Sequence, residues 1–125
     1  MTAGWSVEVT WLPDAAVVSL DGEVDFANAE SLKSALHAAL TARHGSGVVC
    51  CDLSRVSFMD SSGLAALIAA HRRAARHDVR LCLTGAHGAM RRILQLTELD
   101  QIMGLYETVE LARAACKGNS ADVED

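Results

Sequence analysis

The segment from Val48 to Ala75 constrains the fold more than any other part of the chain, because its periodicity changes once along its length. Residues 48–52 begin with four apolar side chains in succession, which is typical of a strand buried on both faces of a sheet. From Leu64 onward, apolar residues recur at helical spacing. Between these parts lie residues 60–63, with the sequence DSSG, and such residues favour the start of a helix. The segment therefore predicts a central strand, a polar loop and a helix.

The rest of the chain predicts further strands and helices around this unit. Alternating or apolar runs that are typical of strands occupy residues 5–12, 15–20, 80–84 and 102–106. Besides the helix over residues 61–77, helical spacing is found over residues 27–43, 89–96 and 108–116. Asn28 is a candidate N-cap of the first helix. We expect one α/β domain over residues 1–116, with a mixed sheet of four or five strands and about four flanking helices, and then a polar, acidic and disordered tail over residues 117–125.

The charge distribution argues against a nucleic-acid-binding function and is compatible with binding to a charged protein partner. The net charge of −5 argues against a nucleic-acid-binding domain, which is usually basic. Residues 1–30 carry six acids and no Lys or Arg, whereas residues 61–96 carry six arginines and a single acid, Asp78. We interpret these as two solvated faces, whose opposite charges can also steer a charged protein partner.

The cysteines indicate packing rather than a metal site or a disulfide framework. Cys50, Cys51, Cys82 and Cys116 form no CxxC pair, and no Cys or His residues have the spacing of a zinc finger. Cys50 and Cys51 are adjacent on a predicted strand, so they point to opposite faces. We therefore expect no metal and no cofactor.

The absence of a membrane segment indicates a cytoplasmic protein. The most apolar helical stretch, residues 64–70, is much shorter than the ~20 residues that span a bilayer. The chain does not begin with a basic segment followed by an apolar run, as a secretory signal does. We expect no contact with a membrane.

Polar residues follow two predicted strands at the points where function gathers in an α/β sheet. Polar loops over residues 21–28 and 54–63 follow the strands at residues 15–20 and 48–52, and each loop ends at a helix start. The carboxyl ends of neighbouring parallel strands meet at one edge. If these strands are neighbours, Asp25 and residues 60–62 lie on one surface.

The serines at this edge, Ser61 and Ser62, have three interpretations. The simplest is a helix cap, worth about 1 kcal/mol. A catalytic serine lacks a GxSxG elbow, and the nearest downstream histidine, His71, would lie roughly 15 Å along the helix. A phosphorylated serine fits better, because a helix N-terminus offers unpaired N–H groups and the positive end of the helix dipole. The added charge would repel a partner that tolerates the neutral hydroxyl, and residue types alone leave open which serine is modified.

Three motifs resemble those of the STAS domain family of anti-sigma factor antagonists. Residues 52–64, DLSRVSFMDSSGL, resemble the signature of that family, and residues 20–29, LDGEVDFANA, resemble its Gly-Glu-x-Asp loop before the first helix. Residues 94–100, LQLTELD, with the YETVE run after them, resemble its C-terminal pattern. The resemblance extends over residues 7–115 and implies a STAS-like sheet with flanking helices.

The resemblance also implies a partner-switching role in transcription regulation and stress response. The unmodified protein would bind an anti-sigma factor, a serine kinase of the histidine-kinase-like ATPase fold, and so release a sigma factor. That kinase would phosphorylate Ser61 and dissociate, and a PP2C-type phosphatase would reverse the modification. Asp25, Asp60, Ser62 and Gly63 are implied to bind the partner.

Two other functions remain as alternatives to a phosphorylation-controlled binding protein. One keeps the fold and makes the protein a scaffold subunit of a larger stress-signalling or lipid-transport complex. The other is a small hydrolase that uses Ser61, which lacks both a base and an oxyanion motif. We expect a binding protein rather than an enzyme, with no catalytic residue.

Overall fold

A five-stranded mixed sheet forms the centre of the structure, a computed structural model that describes residues 4–124, with side chains described for residues 4–116. Its strands are β1 (Trp5–Leu12), β2 (Ala15–Val24), β3 (Val48–Met59), β4 (Arg80–Thr84) and β5 (Leu105–Tyr106). Within this part of the chain the helices are α1 (Ala29–Ala42), α2 (Ser61–His77), α3 (Gly88–Leu96), α4 (Leu99–Met103) and α5 (Val109–Glu124). The predicted α/β class is confirmed.

The strands lie in the order β1-β2-β3-β4-β5, which follows the order of the sequence. β1 and β2 are antiparallel, because only Pro13 and Asp14 join them. The other neighbours are parallel. α1 and α2 form the crossovers between β2, β3 and β4, and α3 and α4 connect β4 to β5. The carboxyl ends of β2, β3 and β4 therefore share one edge of the sheet.

Apolar side chains fill both faces of the sheet, as expected for a covered parallel sheet. On β3, Val49, Cys51 and Leu53 belong to the larger cluster, which also contains residues of α1, α2 and α3. Val48 and Cys50 belong to a smaller cluster on the opposite face. Adjacent strand residues alternate between faces, which confirms the packing interpretation of the two neighbouring cysteines.

Helix α5 covers the smaller cluster. Ala112 and Cys116 are its buried contributions, and the other buried members are Ala15, Val17, Val48, Cys50 and Cys82. Arg113, in the same helix, forms an ion pair with Asp14 at the β1–β2 turn, with 2.7 Å between Nη2 and Oδ1. The second face is thus thin and built from small side chains.

Two strands are longer than the sequence predicted. β2 continues past residue 20 to Val24, and β3 continues past residue 52 to Met59, so half of the polar loop predicted over residues 21–28 and most of the one over residues 54–63 are strand. The extensions pair with each other, from Asp21 opposite Arg55 to Val24 opposite Met59, with register shifts between Ser19 and Asp21 and between Gly22 and Glu23. Buried Val24 and Met59 anchor them, while their intervening polar residues face solvent. Because buried and exposed residues alternate only in part, the sequence pattern did not indicate these strand extensions.

The C-terminal third contains a further difference. Residues 99–103 form a helix, α4, so the predicted strand over residues 102–106 is confined to Leu105 and Tyr106. Gly104 separates the two elements with a φ of +82°, a value that glycine adopts readily. The helix α5 extends to Glu124, beyond its predicted end at Cys116. The predicted tail over residues 117–125 falls outside the described side chains, so it stays a prediction.

Among the described residues, no helix is both long and apolar enough to cross a membrane.

Candidate functional site

The site is built where β2 and β3 end side by side. Val24 and Met59 form the last register pair of the two strands. The Asp60 N–H then donates a hydrogen bond to the Val24 carbonyl at 3.0 Å, which carries the pairing one residue further. Asp25 and Asp60 therefore leave the sheet next to each other, on one surface as the parallel arrangement led us to expect.

Asp60 is the N-cap of α2, and the serines are not. Its backbone is extended, with φ −88° and ψ −173°, as is usual for a capping residue. Its Oδ1 accepts hydrogen bonds from the N–H of Ser62 at 2.8 Å and of Gly63 at 3.3 Å. The Ser61 side chain is exposed at the first helical position and takes no part in this cap. The capping interpretation thus applies to the aspartate and leaves the Ser61 hydroxyl at the surface.

Gly63 fixes the start of α2 against the ends of the two strands. It is buried, and a Cβ at this position would lie 2.7 Å from Val24 Cγ1 and closer still to Met59 Cγ. Such distances do not occur between real side chains, so only glycine fits without a shift of its neighbours. Because Gly63 is buried against the strand ends, its contribution to the site is to hold the helix start that carries Ser61 in position.

The β2–α1 loop is held by side chains rather than by close packing. Asp25 Oδ1 accepts from the Ala27 N–H at 2.9 Å. Asn28 Oδ1 accepts from the Asp25 N–H, and Asn28 Nδ2 donates to the Glu23 carbonyl, both at 2.9 Å. Asn28 is the N-cap residue of α1, as predicted, but its side chain makes no capping hydrogen bond to the helix. It fixes the loop instead, and α1 begins at Ala29 rather than at residue 27.

Two exposed phenylalanines lie at the same carboxyl edge of the sheet as the serine, and sequence reasoning missed both. Phe26 is 84% exposed in the β2–α1 loop, and Phe58 is 46% exposed near the end of β3. Phe58 and Met59 are neighbouring strand residues that face opposite ways, and only Met59 is buried. If the strand pattern of β3 is extended to Met59, the alternation places Phe58 on the exposed side. No periodic pattern indicates that Phe26 is exposed.

A groove of about 530 Å³ continues this apolar surface beyond Phe58. Its lining residues are Phe58, Gly88, Ala89, Arg92, Ile93 and Leu96. Leu96 is 77% exposed at the end of α3. Neighbouring large apolar side chains in solvent are typical of a surface that binds another protein.

The charges around the serine have a definite arrangement. The first turn of α2 contains no acidic residue beyond the capping Asp60, so the positive end of the helix dipole faces Ser61. Asp25 and Glu23 are exposed on the adjoining loop and strand end. An additional negative charge on Ser61 would therefore be tolerated by the helix and would make the surrounding surface more acidic.

Catalytic and metal-binding arrangements are not found among the described residues. No hydrogen bond in this part of the chain joins Ser61 to a histidine. The Nε2 atom of His87 lies 2.8 Å from the carbonyl oxygen of Ser54, so the His87 ring is engaged away from Ser61. No group of three or more His, Cys, Asp or Glu residues within residues 4–116 could hold a metal ion. The site offers a hydroxyl, carboxylates and apolar surface.

The sequence matches the STAS domain family over residues 6–112, and the chain belongs to this family. Similar proteins include anti-sigma factor antagonists. The anti-sigma-F factor antagonist RsfB of Mycobacterium tuberculosis is 29% identical over 107 residues, which cover 86% of this chain and 85% of that protein. The crystal structure of an anti-sigma factor antagonist from Mycobacterium paratuberculosis superposes with a TM-score of 0.80 at 29% identity, covering 92% and 96% of the two chains.

A more distant structure has the same fold. The Bacillus cell-fate determinant SpoIIAA, solved in its phosphorylated form, gives a TM-score of 0.65 at 24% identity and covers 86% of this chain and 96% of its own. The family resemblance that the motifs suggested is confirmed.

Proposed function

We propose that this protein is an anti-sigma factor antagonist whose binding to its partner is switched off by phosphorylation of Ser61. The observation that carries the proposal is the division of roles at the start of α2. Asp60 caps the helix, Gly63 packs it onto the sheet, and Ser61 remains exposed between them. A residue that the fold does not need is free to be modified.

The folded protein would tolerate a phosphate on Ser61. The cap bonds run from the N–H groups of Ser62 and Gly63 to Asp60, so a group on the Ser61 side chain does not replace them. The phosphate would lie at the positive end of the α2 dipole. Its charge of about −1.5 to −2 would thus change the surface and not the fold.

A binding partner would experience the same phosphate very differently. In the unmodified state it would meet a neutral hydroxyl and, on the adjoining loop and strand end, two exposed aromatic side chains, Phe26 and Phe58. After modification it would meet a dianion next to Asp25 and Asp60, whose desolvation and repulsion oppose association. We infer that Asp25, Asp60 and Ser62 form the rim of this binding surface and that Phe26 and Phe58 form its apolar part.

The partner we propose is an anti-sigma factor that is itself a serine kinase of the histidine-kinase-like ATPase fold. Such a kinase has to bring the γ-phosphate of ATP to the Ser61 hydroxyl, which the exposed first turn of α2 permits. A PP2C-type phosphatase would restore the unmodified state. The similarity to RsfB and to the Mycobacterium paratuberculosis antagonist supports the antagonist role.

The test uses the kinase, ATP and three variants of the full chain. Incubation with ATP should place one phosphate on Ser61, located by mass spectrometry of the peptide that contains it. Ser61→Ala should stay bound to the kinase in the presence of ATP, and Ser61→Asp should bind more weakly by at least about tenfold. Ser62→Ala is the matched control for the site of modification and should still take up one phosphate, on Ser61.

Two results would overturn the proposal. Phosphate found on Ser62 would move the switch to the neighbouring residue. Binding that is equal for the Ala and Asp variants of Ser61 would remove the switch altogether, and stable co-purification with a large partner in both cases would favour the scaffold function.

A further inference from the structure

Three of the four cysteines lie together on the face of the sheet away from the larger cluster. Cys50, Cys82 and Cys116 all belong to the smaller cluster, on β3, β4 and α5 respectively. All three are free thiols. The sulfur atoms of Cys82 and Cys116 are 3.6 Å apart, although the residues are separated by 34 positions in the sequence. The fold therefore brings two distant thiols into contact.

We propose that Cys82 and Cys116 form an intramolecular disulfide when the protein meets a hydroperoxide. A disulfide needs its sulfur atoms about 2.05 Å apart, so an approach of roughly 1.6 Å converts the contact into a bond. The connection would tie α5 covalently to β4. It lies away from Ser61 and does not depend on the proposed phosphorylation switch.

The other two cysteines differ in their access to this reaction. Cys51 belongs to the larger cluster on the opposite face and has no route to Cys116. Cys50 is the register partner of Cys82 on the neighbouring strand, and burial raises the pKa of its thiol to about 12, with the Cys116 thiol adding to the rise. Cys50 is therefore the one competitor within the smaller cluster, and an experiment has to distinguish it.

Exposure decides which sulfur reacts first. Cys116 keeps 6% of its surface exposed, whereas Cys82 has none. The Cys116 thiolate attacks one oxygen of the hydroperoxide, the O–O bond breaks, and a sulfenic acid forms while the other oxygen leaves and takes up a proton. The Cys82 sulfur then attacks the sulfenic sulfur, the S–O bond breaks, and hydroxide leaves with the Cys82 proton as water. With hydrogen peroxide, two thiols and one peroxide give one disulfide and two waters.

The environment makes this reaction slow. Burial raises the pKa of the Cys82 thiol, and the neighbouring Cys116 thiol raises it further. Because the thiolate is the nucleophile, the reaction should be slower than for an exposed cysteine. The product, however, would close a long loop and restrict the unfolded chain.

The experiment treats the full chain with hydrogen peroxide and maps its peptides without reduction. The expected product has lost two hydrogen atoms and contains a peptide pair linked through Cys82 and Cys116. Its Tm should rise by roughly 10 °C, and dithiothreitol should reverse the rise. Cys50→Ala is the matched control and should give the same linkage, whereas Cys116→Ala should give none.

Three results would overturn the inference. They are a linkage that includes Cys50, oxidation of Cys116 to a sulfinic acid without any linked peptide, and an unchanged mass after treatment with peroxide for much longer than the time that oxidises an exposed model thiol. If Cys116→Ala does not fold, the peptide maps of the unsubstituted protein and of Cys50→Ala still decide the matter.

Discussion

Two strand-to-helix junctions lie side by side at the carboxyl edge of the sheet, and they are built in opposite ways. The β3–α2 junction has one connecting residue, Asp60, and is closed by the packing of Gly63 against the strand ends. The β2–α1 junction is a loop over residues 25–28, held by the side chains of Asp25 and Asn28. The first is fixed by burial and the second by exposed hydrogen bonds.

The difference shows how one surface can combine accurate placement with accessible contacts. The tight junction places Ser61 at a helix start that is fixed by packing, where its side chain is exposed to the proposed kinase. The loop presents Phe26 and Asp25 to solvent, where they can meet a partner. Mutations in the tight junction should therefore affect stability first, and mutations in the loop should affect binding first.

Gly63→Val should have the largest effect, a decrease of about 2 kcal/mol in the free energy of unfolding, because the new side chain overlaps Val24 and Met59. Urea denaturation measures it. Ala65→Val, at an exposed position of the same helix, is the control and should cost about 0.5 kcal/mol. Equal losses in the two variants would mean that Gly63 does not close the junction.

Phe26→Ala should weaken binding to the anti-sigma factor by about tenfold while leaving stability within about 0.5 kcal/mol. The side chain is 84% exposed, so the fold loses little with it. Calorimetric titration and urea denaturation measure the two quantities. Trp11→Ala, at a 54% exposed position on the edge strand β1, should leave binding unchanged. Unchanged binding for Phe26→Ala would remove the loop from the proposed interface.

Asp60→Ala should lower the free energy of unfolding by about 1 kcal/mol, since the cap to Ser62 and Gly63 is lost. Asp60→Asn keeps an acceptor oxygen and should lose less. Urea denaturation of both variants gives the comparison. If the two variants are equally destabilised, the charge of Asp60 matters and its hydrogen bonds do not.

Asn28→Ala should have the smallest effect on stability, about 0.5 kcal/mol, because the two hydrogen bonds of its side chain are exposed. It should instead weaken partner binding, as the loop that carries Asp25 and Phe26 loses its support. Asn28→Asp retains the acceptor and is the control. A stability loss as large as that of Asp60→Ala would contradict the division between the two junctions.

The sequence predicted the main features of this arrangement because they depend on local patterns. Apolar runs predicted the α/β class, and the DSSG motif predicted where α2 begins. The expectation that Asp25 and Asp60 share a surface followed from the direction of parallel strands. These inferences needed no knowledge of side-chain contacts.

The features that were missed depend on tertiary contacts. The ends of β2 and β3 are strands because each pairs with the other and because Val24 and Met59 are buried, while the register shifts interrupt the alternation. Asn28 has a residue type that suits a cap, but the Glu23 carbonyl and the Asp25 N–H are better placed to use its side chain. α4 is a single short helix whose five residues carry too little periodicity to be recognised.

The thin second face also has a consequence for how the molecule opens. α5 is attached through small side chains such as Ala112 and through a partly exposed ion pair between Arg113 and Asp14. α2, in contrast, contributes large and fully buried side chains such as Leu67 to the other face. Local unfolding free energies follow buried apolar contacts, so amide hydrogens of α5 should exchange with solvent well before those of α2. Partial unfolding would then begin on the face of the sheet that carries Cys50, Cys82 and Cys116, with the proposed binding surface around Ser61 still intact.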